Sequence, residues 1–370
     1  MEAQKNDLKT GGKKGAVRWL AFTMGAVLLL LAAFAGAVVY VDPFFHYHKP
    51  VPGLAYPIDS ERYQNDGISR HFEYDAVLTG TSMMENFKTS LFDSLFGARS
   101  IKIPFAGGYY KEVDQAVSRA VSYNPHIRMV CRGLDRSFLL QEADAVNQAA
   151  PAPDYLWDDN LWNDVEYIFN KEVIFGNLRA VSARTRAGEK TTDFDEYMHW
   201  APEKEWGHEA VLKTYDRQEA EKEQKPFTEE DRRMVLENLE QNVLRTAREN
   251  PQITFYCFIP PYSIAWWDSE LMVKGEFERQ MEAYRLMAET LLSCENIRLF
   301  AFDDVYEITC DLGNYMDVIH YSEEVGDQLL TFMAEGKHEI TEENAEQYFD
   351  KITRFYQSYD YESIYGSHEV

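Results

Sequence analysis

Tyr74-Asp75-Ala76-Val77-Leu78-Thr79-Gly80-Thr81-Ser82 is the stretch on which the reading of this chain turns. Tyr74 to Leu78 is short and apolar enough for a buried strand, and Gly80-Thr81-Ser82 follows as a strand-to-loop turn. Open α/β sheets hold ligands at the carboxyl edge of their strands, so a serine here is a candidate nucleophile. Serine needs a base to take its proton, and the sequence offers one far downstream. In Asp317-Val318-Ile319-His320 an acid stands three residues before a histidine, and of nine histidines only His320 has an aspartate at that spacing. One short segment could thus supply both the base and the group that orients it.

Strand-like and helix-like segments alternate outward from this stretch. Ile101 to Phe105 reads as a second strand, broken by Ala106-Gly107-Gly108. Val113, Ala116, Val117 and Ala120 then fall at helical spacing until Asn124-Pro125. Ile127 to Cys131 reads as a third strand, Ile253 to Ile259 as a fourth and Ile297 to Phe302 as a fifth. Helices are expected from Thr228, a natural N-cap, to Pro251, from Phe277 to Leu292, and from Glu323 to about Ala334. The alternation predicts a three-layer, doubly wound parallel sheet of about five strands, flavodoxin-like in class.

Residues 19–41 carry no charge, and as a helix they rise about 34 Å, enough to span a bilayer. Lys5, Lys9, Lys13, Lys14 and Arg18 precede them and Asp42 follows, so the positive-inside rule places the N-terminus in the cytoplasm and the remainder outside. A cleaved signal peptide is the competing reading; its apolar core would be shorter, and no good cleavage site stands here. The expected organisation is a basic tail (1–18), a transmembrane helix (19–41), an irregular lead-in (42–73), an α/β domain (74–335) with a rim insertion (141–227), and a C-terminal extension (336–370).

The first 18 residues carry a net +3, leaving −28 of the total −25 for residues 42–370. Such acidity excludes nucleic acid as a partner through bulk electrostatics, but permits neutral sugars. Four cysteines make no disulfide framework, although Cys294 and Cys310 could pair. No spacing of cysteine or histidine suggests a metal site, and no cofactor is expected.

Ser82, Asp317 and His320 resemble the triad of the SGNH (GDSL-like) hydrolase superfamily, in which the serine follows the first strand and a D-x-x-H block near the C-terminus completes the set. The resemblance spans roughly residues 40 to 335 and is to the membrane-anchored, DltD-like branch related to polysaccharide O-acetyltransferases. It implies an SGNH-like fold and an acyl-serine intermediate formed on O-acyl groups of a cell-envelope polysaccharide or teichoic-acid-like polymer. It also implies a membrane-bound O-acyltransferase partner. For the oxyanion, the backbone N–H groups of Ser82 and of Gly107 or Gly108 are the natural donors. Two departures stand out: Thr81 replaces the aspartate usual before the nucleophile, and Arg132-Gly133-Leu134-Asp135 lacks the usual asparagine donor. An ionised Asp135 would repel an oxyanion; Arg132 or Arg136 could supply positive charge instead, or the site could rely on two donors.

Blander readings stand beside these. Ser82 could simply N-cap a helix, and Asp317 with His320 could cap the last one. Asp158, Asp159, Asn160, Asn163 and Asp164 could bind calcium or sugar, or cap a helix on the insertion. The chain as a whole could be a non-catalytic anchored module that binds polysaccharide or scaffolds an acyltransferase complex.

Overall fold

In the computed structural model, which describes residues 2–366 (side-chain surroundings for 15–365), two compact units emerge: residues 1–57 with 153–191, and 58–152 with 192–370. The lysines of the basic tail lie outside the residues whose side chains are described. The insertion expected over 141–227 therefore divides, and only its middle joins the N-terminal unit.

The second unit holds the sheet. Its strands are β1 (Ala76–Thr79), β2 (Ser100–Lys102), β3 (Met129–Gly133), β4 (Thr254–Ile259), β5 (Ile297–Ala301) and β6 (Glu339–Ile340). Their order is β2-β1-β3-β4-β5-β6, with the first five parallel and β6 antiparallel to β5. Six strands stand where about five were expected; the extra one is two residues long, in the stretch read as a C-terminal extension. The architecture is consistent with a three-layer α/β fold. All residues of β1, β2 and β3 are buried, the pattern of a sheet covered on both faces.

The helices expected from periodicity form as Tyr110–Tyr123, Phe277–Leu292 and Glu323–Ala334. Thr228 caps Glu229–Leu239 in a reciprocal box with Asp231, each side chain accepting from the other's backbone N–H. The lead-in is not irregular throughout, because Glu61–His71 is a helix. Its buried side includes Glu61, Arg62, Gln64, Asn65 and Asp66, so hydropathy gave no sign of it. Asn65 donates to the Pro104 carbonyl (2.7 Å) and accepts from Tyr197 (2.6 Å), which satisfies a polar side chain in the interior.

The core also holds a charge pair. Arg136 is fully buried, pairs with Asp303, donates to the Pro260 carbonyl (2.8 Å), and lies over the rings of Tyr262, Trp266, Trp267 and Tyr284. Its Nε and Nη1 have no hydrogen-bond acceptor and meet aromatic faces instead. All four cysteines are free thiols; Cys294 donates to Asn296, so Cys294 and Cys310 do not pair.

The N-terminal unit is built on a helix, Glu2–Val41, whose portion Gly15–Val41 is long and apolar enough to cross a membrane. Val38 near its end packs with Phe44, Leu156, Tyr167 and Val173 in a small core of its own.

Removing one partner of a buried pair strands the other charge. Arg136→Met is therefore expected to lower the unfolding free energy of the detergent-solubilised chain by about 3–5 kcal/mol in urea titrations. Arg136→Met/Asp303→Leu should recover much of that loss. A double variant no more stable than the single one would contradict this account of the pair.

Candidate active site

Strand β1 pairs with β2 on one side and β3 on the other, so the chain leaves its carboxyl end at the point where strand order reverses. Gly80 opens the turn at φ +151°, and a Cβ there would lie 2.6 Å from Met84 Cγ and 3.2 Å from the Gly133 carbonyl. Only glycine fits that conformation and that approach. Thr81 then caps the short 3-10 turn Ser82–Met84, its hydroxyl accepting from Met83 N–H (3.3 Å). The capping role considered for Ser82 thus belongs to Thr81, which leaves the Ser82 side chain free of the backbone.

Ser82 Oγ lies 2.8 Å from His320 Nε2, across 238 residues of sequence. His320 Nδ1 lies 2.7 Å from Asp317 Oδ2. Asp317 Oδ1 also accepts the backbone N–H groups of Ile319 and His320, each at 2.7 Å. Burial works to raise the Asp317 pKa, but the bonds from the His320 ring and from these two amides outweigh it and hold the carboxyl below its ordinary value. An ionised Asp317 on Nδ1 favours the tautomer that leaves the Nε2 lone pair facing the serine hydroxyl. The helix Glu323–Ala334 is not capped by this pair; Ser322 occupies its N-cap position.

Three clips hold the Asp317–His320 loop. Tyr321 donates to the Met83 carbonyl (3.1 Å), directly behind the serine. Ser263, just beyond β4, donates to the Val318 carbonyl (2.7 Å), and Tyr315 donates to the Pro261 carbonyl (3.0 Å). Sequence reading did not anticipate any of the three.

Beside the serine turn, the two glycines separate. Phe105 N–H donates to the Gly80 carbonyl (2.8 Å), seating the 105–108 turn against the serine turn. Gly107 takes φ +61°, and Gly108 N–H donates to the Phe105 carbonyl (2.8 Å). Gly108 is therefore excluded as a donor because its N–H closes the turn. Among the described residues, the N–H groups of Ser82 and Gly107 are left without a protein acceptor. Arg132 and Arg136 are excluded as well. Arg132 is buried on Asn242, Tyr110 and Asp114, and Arg136 on Asp303. Asp135 does not face an oxyanion unpaired: it accepts from Thr81 (2.9 Å), from Ser137 N–H (3.0 Å) and from Tyr262. Its carboxylate braces the residue before the serine.

Trp200, in the polar stretch of the insertion, stands edge-on to His320 with ring centres 5.5 Å apart. No spacing signal marks it in the sequence. Trp200 Nε1 donates to Glu85 (2.6 Å), and Asn86 accepts from the backbone N–H groups of Trp200 and Ala201. Glu85 is buried against Glu61, whose two oxygens accept Ala106 N–H at 3.0 and 2.9 Å. Burial, then the charge of Glu61, pushes the Glu85 carboxyl up to about 8. Burial and the charge of Glu61 together favour the protonated form of Glu85. Lys102, also buried, faces the pair from β2, donates to the Phe87 and Glu85 carbonyls, and is lowered by burial to about 7.

The acid-amide cluster of residues 158–164 is engaged by protein partners, in part locally. Asp158 accepts from Asn160 N–H and Asn163, and Asp164 lies at the N-cap of a short helix without a side-chain capping bond.

No family model matches the sequence, and no curated protein does. Among solved structures, "a putative platelet activating factor from Streptococcus pneumonia" aligns over 75% of this chain and 90% of its own, at 12% identity and a TM-score of 0.38. It is a distant structural neighbour, and a likeness of that degree carries no argument about function.

A glutamate in the unfolded chain titrates near 4.5, so between that pH and about 8 the folded state holds the extra proton on Glu85. The stabilisation is complete below 4.5 and is lost as pH rises through 8. Between about pH 5 and about pH 7 the unfolding free energy of the native chain should fall relative to Glu85→Gln by up to about 1.4 kcal/mol per pH unit. Parallel pH profiles for the two proteins would show that Glu85 is ionised in the fold.

Proposed function

We propose that the chain is a membrane-anchored serine acyltransferase or esterase of the SGNH (GDSL-like) kind, acting on O-acyl groups of a cell-envelope polymer. The observation that carries this reading is the continuous Ser82–His320–Asp317 hydrogen-bonded line at the carboxyl edge of a parallel sheet. In the first step Ser82 Oγ bonds to the acyl carbon while its proton passes to His320 Nε2. The tetrahedral oxyanion is held by the N–H groups of Ser82 and Gly107. Collapse breaks the bond to the leaving oxygen, which takes the proton from His320. In the second step an acceptor hydroxyl gives its proton to His320 and attacks the acyl-serine, and Ser82 regains its proton as it departs. Water as acceptor makes an esterase; a sugar or polyol hydroxyl makes a transferase. Family resemblance favours transfer, with a multispanning O-acyltransferase as the source of the acyl group.

The helix Gly15–Val41 supports an anchor, and the lysine-rich tail before it supports placing the site outside the cell. A second reading, an anchored non-catalytic subunit, draws on Asp135, which stands where the superfamily carries its side-chain oxyanion donor.

A membrane-impermeant fluorophosphonate applied to intact, wall-stripped cells separates the two. Labelling should fall on Ser82 and be abolished by Ser82→Ala and by His320→Ala, because nucleophile and base act as a unit. Asp317→Asn should slow it by a factor on the order of 10³–10⁴ without unfolding the chain. A folded chain that the permeant form of the probe leaves unlabelled would favour the scaffold. Labelling by the permeant form alone would place the site on the other side of the membrane.

A further inference from the structure

Nine large apolar side chains outside the N-terminal helix are exposed among the described residues, and five of them fall within one short segment. They are Leu161 (73% exposed), Trp162 (91%), Val165, Phe169 and Phe175 (66%). Apolar exposure this concentrated marks a contact surface. What covers it follows from the depth at which the segment is held.

Phe175 packs edge-on against Phe34 of the N-terminal helix, ring centres 6.0 Å apart. Phe34 lies seven residues before Val41, about 10 Å down the helix axis. The uncharged run Trp19–Val41 is about 34 Å long and a hydrocarbon core about 30 Å thick, so any placement leaves Phe34 roughly 6–10 Å inside that core. Phe175 shares this depth. A second set of contacts ties the stretch that follows to the end of the N-terminal helix: Ala55 N–H donates to Thr185 (2.9 Å), and the adjacent Tyr56 hydroxyl donates to the Val41 carbonyl (2.6 Å).

The segment is also fixed in place. Tyr167 and Val173 are buried with Val38 and Phe44, and Tyr167 donates to Asp42 (2.8 Å). Asp164 is turned inward, accepting from Tyr47 (2.9 Å) and lying 3.2 Å from His46 Nε2. Its acid points into the unit while its neighbours point apolar groups out.

We propose that the exposed apolar side chains of Leu161–Phe175 form a second membrane contact, with the leaflet that holds the C-terminal half of the N-terminal helix. The occupant is lipid, and neutral lipid suffices: Asp164, Glu166 and Glu172 outnumber Lys171 in this stretch, so attraction to anionic headgroups does not drive it. Trp162 suits the headgroup boundary, where indole rings gather, and Phe175 the acyl chains.

The full chain carrying Cys310→Ser, which removes the one incompletely buried thiol, would be reconstituted in phosphatidylcholine vesicles. An NBD fluorophore would be attached in turn through Trp162→Cys, Val165→Cys, Phe169→Cys and Phe175→Cys. Leu30→Cys reports the bilayer interior and Lys190→Cys the aqueous side. Doxyl-labelled lipids should quench the four segment positions to at least about half the extent seen at position 30, most strongly at 175. If they stay as unquenched as position 190 while position 30 is quenched, the lipid contact is wrong and the face belongs to a protein neighbour.

Discussion

Strand β1 is hydrogen-bonded on both flanks, Ala76 opposite Ser100 of β2 and Met129 of β3, and this pairing fixes where Ser82 emerges. The carboxyl ends of β1 and β3 are held so closely that Gly80 has no room for a Cβ beside Gly133. Asp135, just past β3, then captures the hydroxyl of Thr81. The serine is therefore aimed by the sheet before any partner reaches it. The other two members come from a loop between β5 and β6, which is clipped back onto Met83 by Tyr321.

Much of this was legible from sequence because the relevant signals are local. Apolar runs of five to seven residues bounded by Gly, Pro and Asn mark the first five strands. The D-x-x-H spacing brings His320 and Asp317 into one turn. Other features depend on partners far along the chain and left no local trace. The helix Glu61–His71 buries acids, amides and an arginine, many of them satisfied by distant partners such as Pro104, Ala106, Arg119 and Tyr197. Strand β6 is too short for a pattern. Trp200 reaches His320 from a stretch that reads as polar. Gly107 and Gly108 are indistinguishable in sequence, and only the turn geometry spends one N–H and spares the other.

The insertion shows the same limit at a larger scale. Its aromatic residues do not fall at one helical spacing, and its acids suggested a ligand or a cap. In the fold Asp164 turns inward to Tyr47, near His46, while Trp162 and Phe175 turn out. The sheet unit uses polar burial in the same way, with Arg136–Asp303 under aromatic rings and Glu85, its pKa raised by burial and by the charge of Glu61, holding Trp200. Each such group is costly to bury and stable only with its partner, which makes these positions specific to one arrangement of the chain.

The central claim is that Ser82 can become acylated. Its most direct test is rapid acid quench of the full chain with an activated acetyl ester, followed by peptide mapping by mass spectrometry. The account predicts a single acetylated peptide, modified at Ser82, that builds up within the first turnover and is absent from His320→Ala. Acetylation confined to lysines or the N-terminus of an otherwise folded chain would contradict it.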